Sequence, residues 1–155
     1  MKGQLISLLQ NGKHSIAIYR HRGSADNNCN DSPQVLTYDT KGIATLLQIV
    51  NDGSGLLSGA TVVDKVVGKA AAALLILGGA RELHALLISS GAVDLLASAG
   101  VKVSYDRQTD HILNSARTDW CPMEKACRDC NTAEECLTAI REQIMKMRNH
   151  KQKIK

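Results

Sequence analysis

The chain has 155 residues, which suits one domain able to bury roughly two thirds of the surface its unfolded form would expose. Hydrophobic residues make up 44% of it but phenylalanine is absent, so the core must be aliphatic and a platform of stacked aromatics for nucleic-acid bases is not expected. The net charge of +4 is concentrated in Lys146, Arg148, Lys151, Lys153 and Lys155, on an otherwise nearly neutral chain. Such a tail reads as a solvated helix end rather than a nucleic-acid or membrane contact.

In chain order, Leu5, Ile6, Leu8 and Leu9 have helical spacing that stops at Asn11-Gly12, with no apolar stretch of the signal-peptide kind. Ser15–Tyr19 reads as a strand, residues 21–33 as an exposed polar loop, and Gln34–Tyr38 as the hairpin partner of the first strand. Ile43, Leu46, Leu47 and Val50 mark a helix over 42–51, followed by a Gly/Ser-rich break over 52–59. Ala60–Asp64 reads as a short strand and Val67–Leu77 as a buried helix stopped by Gly78-Gly79. A strand over 83–88, a helix over 92–99 and a strand over 101–105 follow, and then a helical C-terminal third.

The order α-β-β-α-β-α-β-α-β predicts a three-layer α/β/α sandwich around a mixed sheet of about five strands that opens with a hairpin. The domain is expected to span 1–126, with a cysteine-containing helical extension and basic tail over 127–155. The longest strongly apolar run, Ala70–Leu77, is too short to cross a bilayer, and five cysteines without a secretory signal point to a reducing, cytoplasmic setting.

The segment Asp64–Ala73 (DKVVGKAAAA) together with Trp120–Glu124 (WCPME) resembles an uncharacterised family of small bacterial proteins. The resemblance covers residues 1–126 and implies a cytidine-deaminase-like fold, without implying an activity. Deaminase chemistry itself requires a His or Cys ligand with a Glu two residues on at one helix start, and Pro-Cys-x-x-Cys at the next. The corresponding stretches here are Thr40–Ile43 and Asp64–Lys69, which contain no His, no Cys and no Glu. His84-Ala85-Leu86 lacks the acid, and Cys127-Arg128-Asp129-Cys130 follows an alanine and comes too late. Zinc at the deaminase position is therefore not expected.

Nucleotide fingerprints fail as well. Gly68-Lys69-Ala70 lacks the leading glycine and the Ser/Thr of a P-loop, and Gly53-Ser54-Gly55 leads from helix to strand instead of the reverse.

What remains is a pair of helix starts at one end of the sheet, carrying Lys41, Gly42, Asp64, Lys65, Gly68 and Lys69. Helix N-termini favour anions and glycines admit close approach, so this set is expected to bind a small anionic or nucleotide-like ligand. The structural reading of the same residues makes Asp64 the cap of the buried helix and leaves the lysines solvated.

Cys121-Pro122-Met123-Glu124 is an orthodox helix start, with Pro122 near the first position and Glu124 in the first turn. A helix N-terminus also favours the thiolate, which makes Cys121 and Glu124 the candidate catalytic pair, with His84 or His111 as a base. Cys121, Cys127, Cys130 and Cys136 follow the spacing C-x5-C-x2-C-x5-C, which is able to hold a metal, to form disulfides, or simply to pack as small hydrophobes. Thr132 and Glu135 form a capping box for the last helix, whose stripe of Ile140, Ile144 and Met147 offers a docking face. Self-association stays open as a further partner class.

Overall fold

β-Branched and aliphatic runs pair into one five-stranded sheet with strand order β2-β1-β3-β4-β5. The structure, a computed structural model, describes residues 2–12, 14–21, 33–39 and 43–153. Its elements are α1 (Lys2–Gln10), β1 (Ile16–Arg20), β2 (Gln34–Tyr38), α2 (Ala44–Asp52), β3 (Thr61–Val67), α3 (Lys69–Gly78), β4 (Glu82–Ser89), α4 (Ser90–Ser98), β5 (Lys102–Thr109), α5 (Pro122–Cys127) and α6 (Ala133–Lys153). β1 runs antiparallel to both β2 and β3, whereas β3, β4 and β5 are parallel, so the sheet is mixed and opens with the expected β1–β2 pair. The polar stretch 22–32 lies outside the described residues.

The two faces of the sheet are covered unequally. Helices α2, α3 and α4 share a large aliphatic core with Ile18, Val62, Leu83 and Ile88 on one face. On the other face, among the described residues, α1 packs with Leu5 and Leu9 against Ala17 and Val63. The α3 helix is an alanine and leucine rod whose residues 70–75 are all buried, because it lies between the sheet and the C-terminal helices. It ends where Gly79 adopts a left-handed conformation (φ 82°) and returns its N–H to the Ile76 and Leu75 carbonyls.

Two boundaries differ from expectation. β3 does not stop at Asp64 but continues through Val66 and Val67, which pair with Leu87 and Ile88 of β4. The β-branched valines hold the extended form until the alanine run begins, and α3 starts at Lys69. Asp64 is therefore mid-strand and does not cap the helix. β5 likewise runs on to Thr109, in register with Ser89, four residues past its expected end.

The residues beyond 126 join the same core: Cys127, Ala133, Cys136 and Ile140 are buried within it and Ile144 packs against it, while Met147 is exposed. Thr132 caps α6 by accepting the Glu135 N–H (3.1 Å), and Glu135 reaches back to the Asn131 N–H (2.9 Å), one residue earlier than in a standard capping box. Among the described residues no helix is long and apolar enough to cross a membrane.

Candidate functional site

A cavity of about 310 Å³ opens where β3 gives way to α3, beside the start of α2 and the segment leading into α5. Ile43, Asp64, Val66 and Gly68 line one side of it, and Ile112–Ser115 and Cys121–Glu124 the other. The two stretches expected to converge thus meet here through Ile43 on one side and Asp64, Val66 and Gly68 on the other. Lys41 and Gly42 lie outside the described residues.

The start of α3 has no local cap. Gly68 is extended (φ −92°, ψ −178°) and has no side chain to offer the first N–H groups of the helix. The acceptor comes instead from 55 residues further along the chain. Glu124, only 6% exposed, accepts the Lys69 N–H on Oε1 (3.0 Å) and the Ile112 N–H on Oε2 (2.7 Å), and Ser89 Oγ approaches Oε1 at 3.4 Å. A carboxylate of the protein thus occupies the position where a helix start would hold an external anion. A Cβ on Gly68 would lie 3.0 Å from Glu124 Oε2, so glycine is what lets the carboxylate approach.

Neither Lys65 nor Lys69 faces the cavity. Lys69 turns its ammonium toward the end of α5, donating to the Arg128 carbonyl (3.2 Å) and the Cys130 carbonyl. Lys65 alternates with Asp64 along β3, which sends it to the α1 face alongside Val63. The described part of the predicted basic site is therefore acidic where it meets the cavity, through Asp64 and Glu124.

These two carboxylates have different surroundings. Glu124 has both oxygens engaged by backbone donors. Asp64 makes one long contact with the Val66 N–H (3.4 Å) and ion-pairs with no lysine or arginine among the described residues. Burial pushes its carboxyl up from 3.8 to about 7, partly offset by the backbone N–H groups of Val66 and Lys65.

Cys121 forms the N-cap of α5 and part of the cavity wall, with Pro122 in the first turn as expected. Its own N–H is fixed by the Ile112 carbonyl (2.8 Å). Neither candidate base is hydrogen-bonded to its thiol among the described residues. His84 is held across β4 and β5 by Ser104 Oγ (2.8 Å) and Asp106 Oδ1 (3.0 Å), on the α1 face. His111 stacks on Trp120 (4.1 Å between centroids), and the Arg128 guanidinium lies 5.1 Å from the Trp120 ring centre.

The four C-terminal cysteines divide into one and three. Cys121 faces the cavity, while Cys127, Cys130 and Cys136 gather between α5 and α6, and all four are free thiols. Among the described residues no group of three or more His, Cys, Asp or Glu is arranged to hold a metal ion. Cys29 lies outside the described residues.

Residues 112–115 were not anticipated as part of the site. Asn114 accepts the Thr118 N–H (3.1 Å) and Leu113 pairs with Trp120 in an isolated bridge, contacts that no motif in the sequence marks.

No curated protein matches the sequence. Among solved structures, the fold is similar to the crystal structure of a DUF1893 family protein (TM1506) from Thermotoga maritima, with a TM-score of 0.75 at 23% identity over 92% of this chain and 88% of that one. The match to the family described as "TM1506: Domain of unknown function (DUF1893)" extends over residues 9–144, through the sheet, the cavity and most of α6. The chain belongs to the DUF1893 family.

Proposed function

We propose that this domain binds a small, largely apolar ligand in the cavity beside α3, with an amine or other hydrogen-bond donor of the ligand facing Asp64. The observation that carries this reading is a half-buried carboxyl at the wall of a cavity of ligand size, without a lysine or arginine partner among the described residues. Ile43, Val66, Ile112 and Met123 supply apolar surface, and Asn114 and Ser115 add polar groups at the rim. An anionic ligand at the helix starts has less support, since Glu124 fills the α3 terminus and Lys65 and Lys69 point elsewhere. The sheet opened by a hairpin, with two helix starts at one rim, supports a cytidine-deaminase-like reading of the fold. Ile43, Gly68 and Lys69 at those starts offer no zinc ligand, which argues against zinc-dependent deamination.

A thermal-shift screen of primary amines, nucleosides and nucleoside monophosphates, run at pH 6 and pH 8, tests the proposal. An amine holds Asp64 in its charged form, so its stabilising effect should grow as the pH rises through about 7. Ala71→Phe, which fills the cavity, should abolish the shift. The proposal fails if no compound stabilises the wild type more than this variant, or if the phosphates act more strongly than their uncharged counterparts.

A further inference from the structure

Away from the cavity, Cys127 ends α5, Cys130 lies in the following turn and Cys136 sits in the first turn of α6. Cys127 and Cys136 lie in one buried cluster against which Cys130 packs, and the Cys136 thiol interacts electrostatically with both neighbours. Cys127 Sγ lies 3.8 Å from the Cys136 carbonyl oxygen, and Cys130 Sγ lies 3.9 Å from that of Ala126. Cys127 and Cys136 are fully buried, whereas Cys130 is half-buried. The Lys69 ammonium, anchored on the Arg128 and Cys130 carbonyls, is the cation beside the cluster.

We infer that Cys130 and Cys136 are a redox-active dithiol, converted to an intramolecular disulfide by a low-molecular-weight disulfide. Accessibility selects Cys130 for the first step, although burial and the neighbouring Cys136 hold its thiol above the usual value. Its thiolate attacks one sulfur of the oxidant, forming a mixed disulfide and expelling one thiolate, which takes up the released proton. Cys136 then attacks the Cys130 sulfur as a thiolate and expels the second half of the oxidant. The balance is one small disulfide reduced to two thiols and two protein thiols oxidised to one disulfide. Contact with the Cys127 thiol, assisted by Lys69, brings the Cys136 thiol down to about 7 against the opposing effect of burial, which suits it to this second attack. Cys127 is pushed upward by its contact with Cys136 and by burial, so it remains a thiol that donates to its neighbour.

The chain is well arranged for a direct test. Trypsin releases Cys121, Cys127 and the Cys130–Cys136 pair on three separate peptides, the last spanning Asp129–Arg141. The reduced full-length protein is incubated with glutathione disulfide, its remaining thiols are alkylated, and it is mapped without reductant. The expected product is the 129–141 peptide two hydrogens lighter and unalkylated, with Cys127 alkylated. Cys136→Ser should stop at a glutathione adduct on Cys130, and Cys121→Ser should change nothing at this pair. Alkylation of both Cys130 and Cys136, a Cys127–Cys136 link, or a stoichiometric metal that protects these thiols would each overturn the inference. The wild-type map decides even if the Cys136 variant fails to fold.

Discussion

Helices α3 and α4 start side by side at the same end of the sheet, yet they are capped in opposite ways. α4 is capped locally: Ser89, three residues before Ala92, accepts its N–H at 3.3 Å. α3 is capped at long range by Glu124, on a different helix and 55 residues away. A local cap stabilises one helix. A distant carboxylate ties α3, the 112–115 segment and α5 together, so the wall of the cavity and the first turn of its buried helix form one unit.

The sharpest way to break this comparison is Glu124→Ala. It leaves the Lys69 and Ile112 N–H groups without their acceptor in a buried site and should cost about 3 kcal/mol in chemical denaturation. Loss of amide-exchange protection should reach Ile112 as well as the first turn of α3. A cost no larger than that of an exposed cap would mean that water replaces the carboxylate and that the unit is not coupled.

Asp64 sharpens the contrast between a carboxyl with both oxygens engaged and one with a single long hydrogen bond at the same rim. Unfolded, it releases its proton near 3.8, whereas folded it holds the proton to about 7. The folded state therefore binds the extra proton between these values, and the contribution of Asp64 to stability is full below about pH 4 and lost as the pH rises to 7. Asp64→Asn, which never acquires the charge, should be more stable than the wild type at pH 8 by about 2 kcal/mol, with the advantage fading by pH 4. Parallel denaturation profiles for the two proteins across this range would disprove the burial effect.

The smallest expected effect belongs to the local cap. Ser89→Ala should cost about 1 kcal/mol, and the loss of exchange protection should stay within the first turn of α4. If it spreads to α3, the 3.4 Å contact between Ser89 and Glu124 matters more than the cap itself.

This asymmetry also governs what the sequence discloses. Short-range features are legible: Pro122 at the α5 start, Thr132 with Glu135 at the α6 start, the glycine stop after α3 and the order of strands all follow from neighbouring residues. The convergence of Ile43 with residues 64–68 follows from that order. The role of Glu124 is not legible, because nothing near it in the chain marks a partner at Lys69. The lysines misled for a different reason. Once β3 is seen to run to Val67, the alternation of Val62, Asp64 and Val66 with Val63 and Lys65 separates Asp64 from Lys65, but the glycine and the alanine run concealed where the strand ended. The symmetric C-x5-C-x2-C-x5-C spacing likewise gives no sign that Cys121 parts from the other three, since that depends on how α5 packs.

Trp120, the sole tryptophan of the chain, immediately precedes Cys121 in the cavity wall and lies against both His111 and the Arg128 guanidinium. The molecule thus carries one indole fluorophore, placed where ligand entry, a shift of α5 or a change in the neighbouring thiols would alter its surroundings. Its emission offers an optical readout of the site without any attached label.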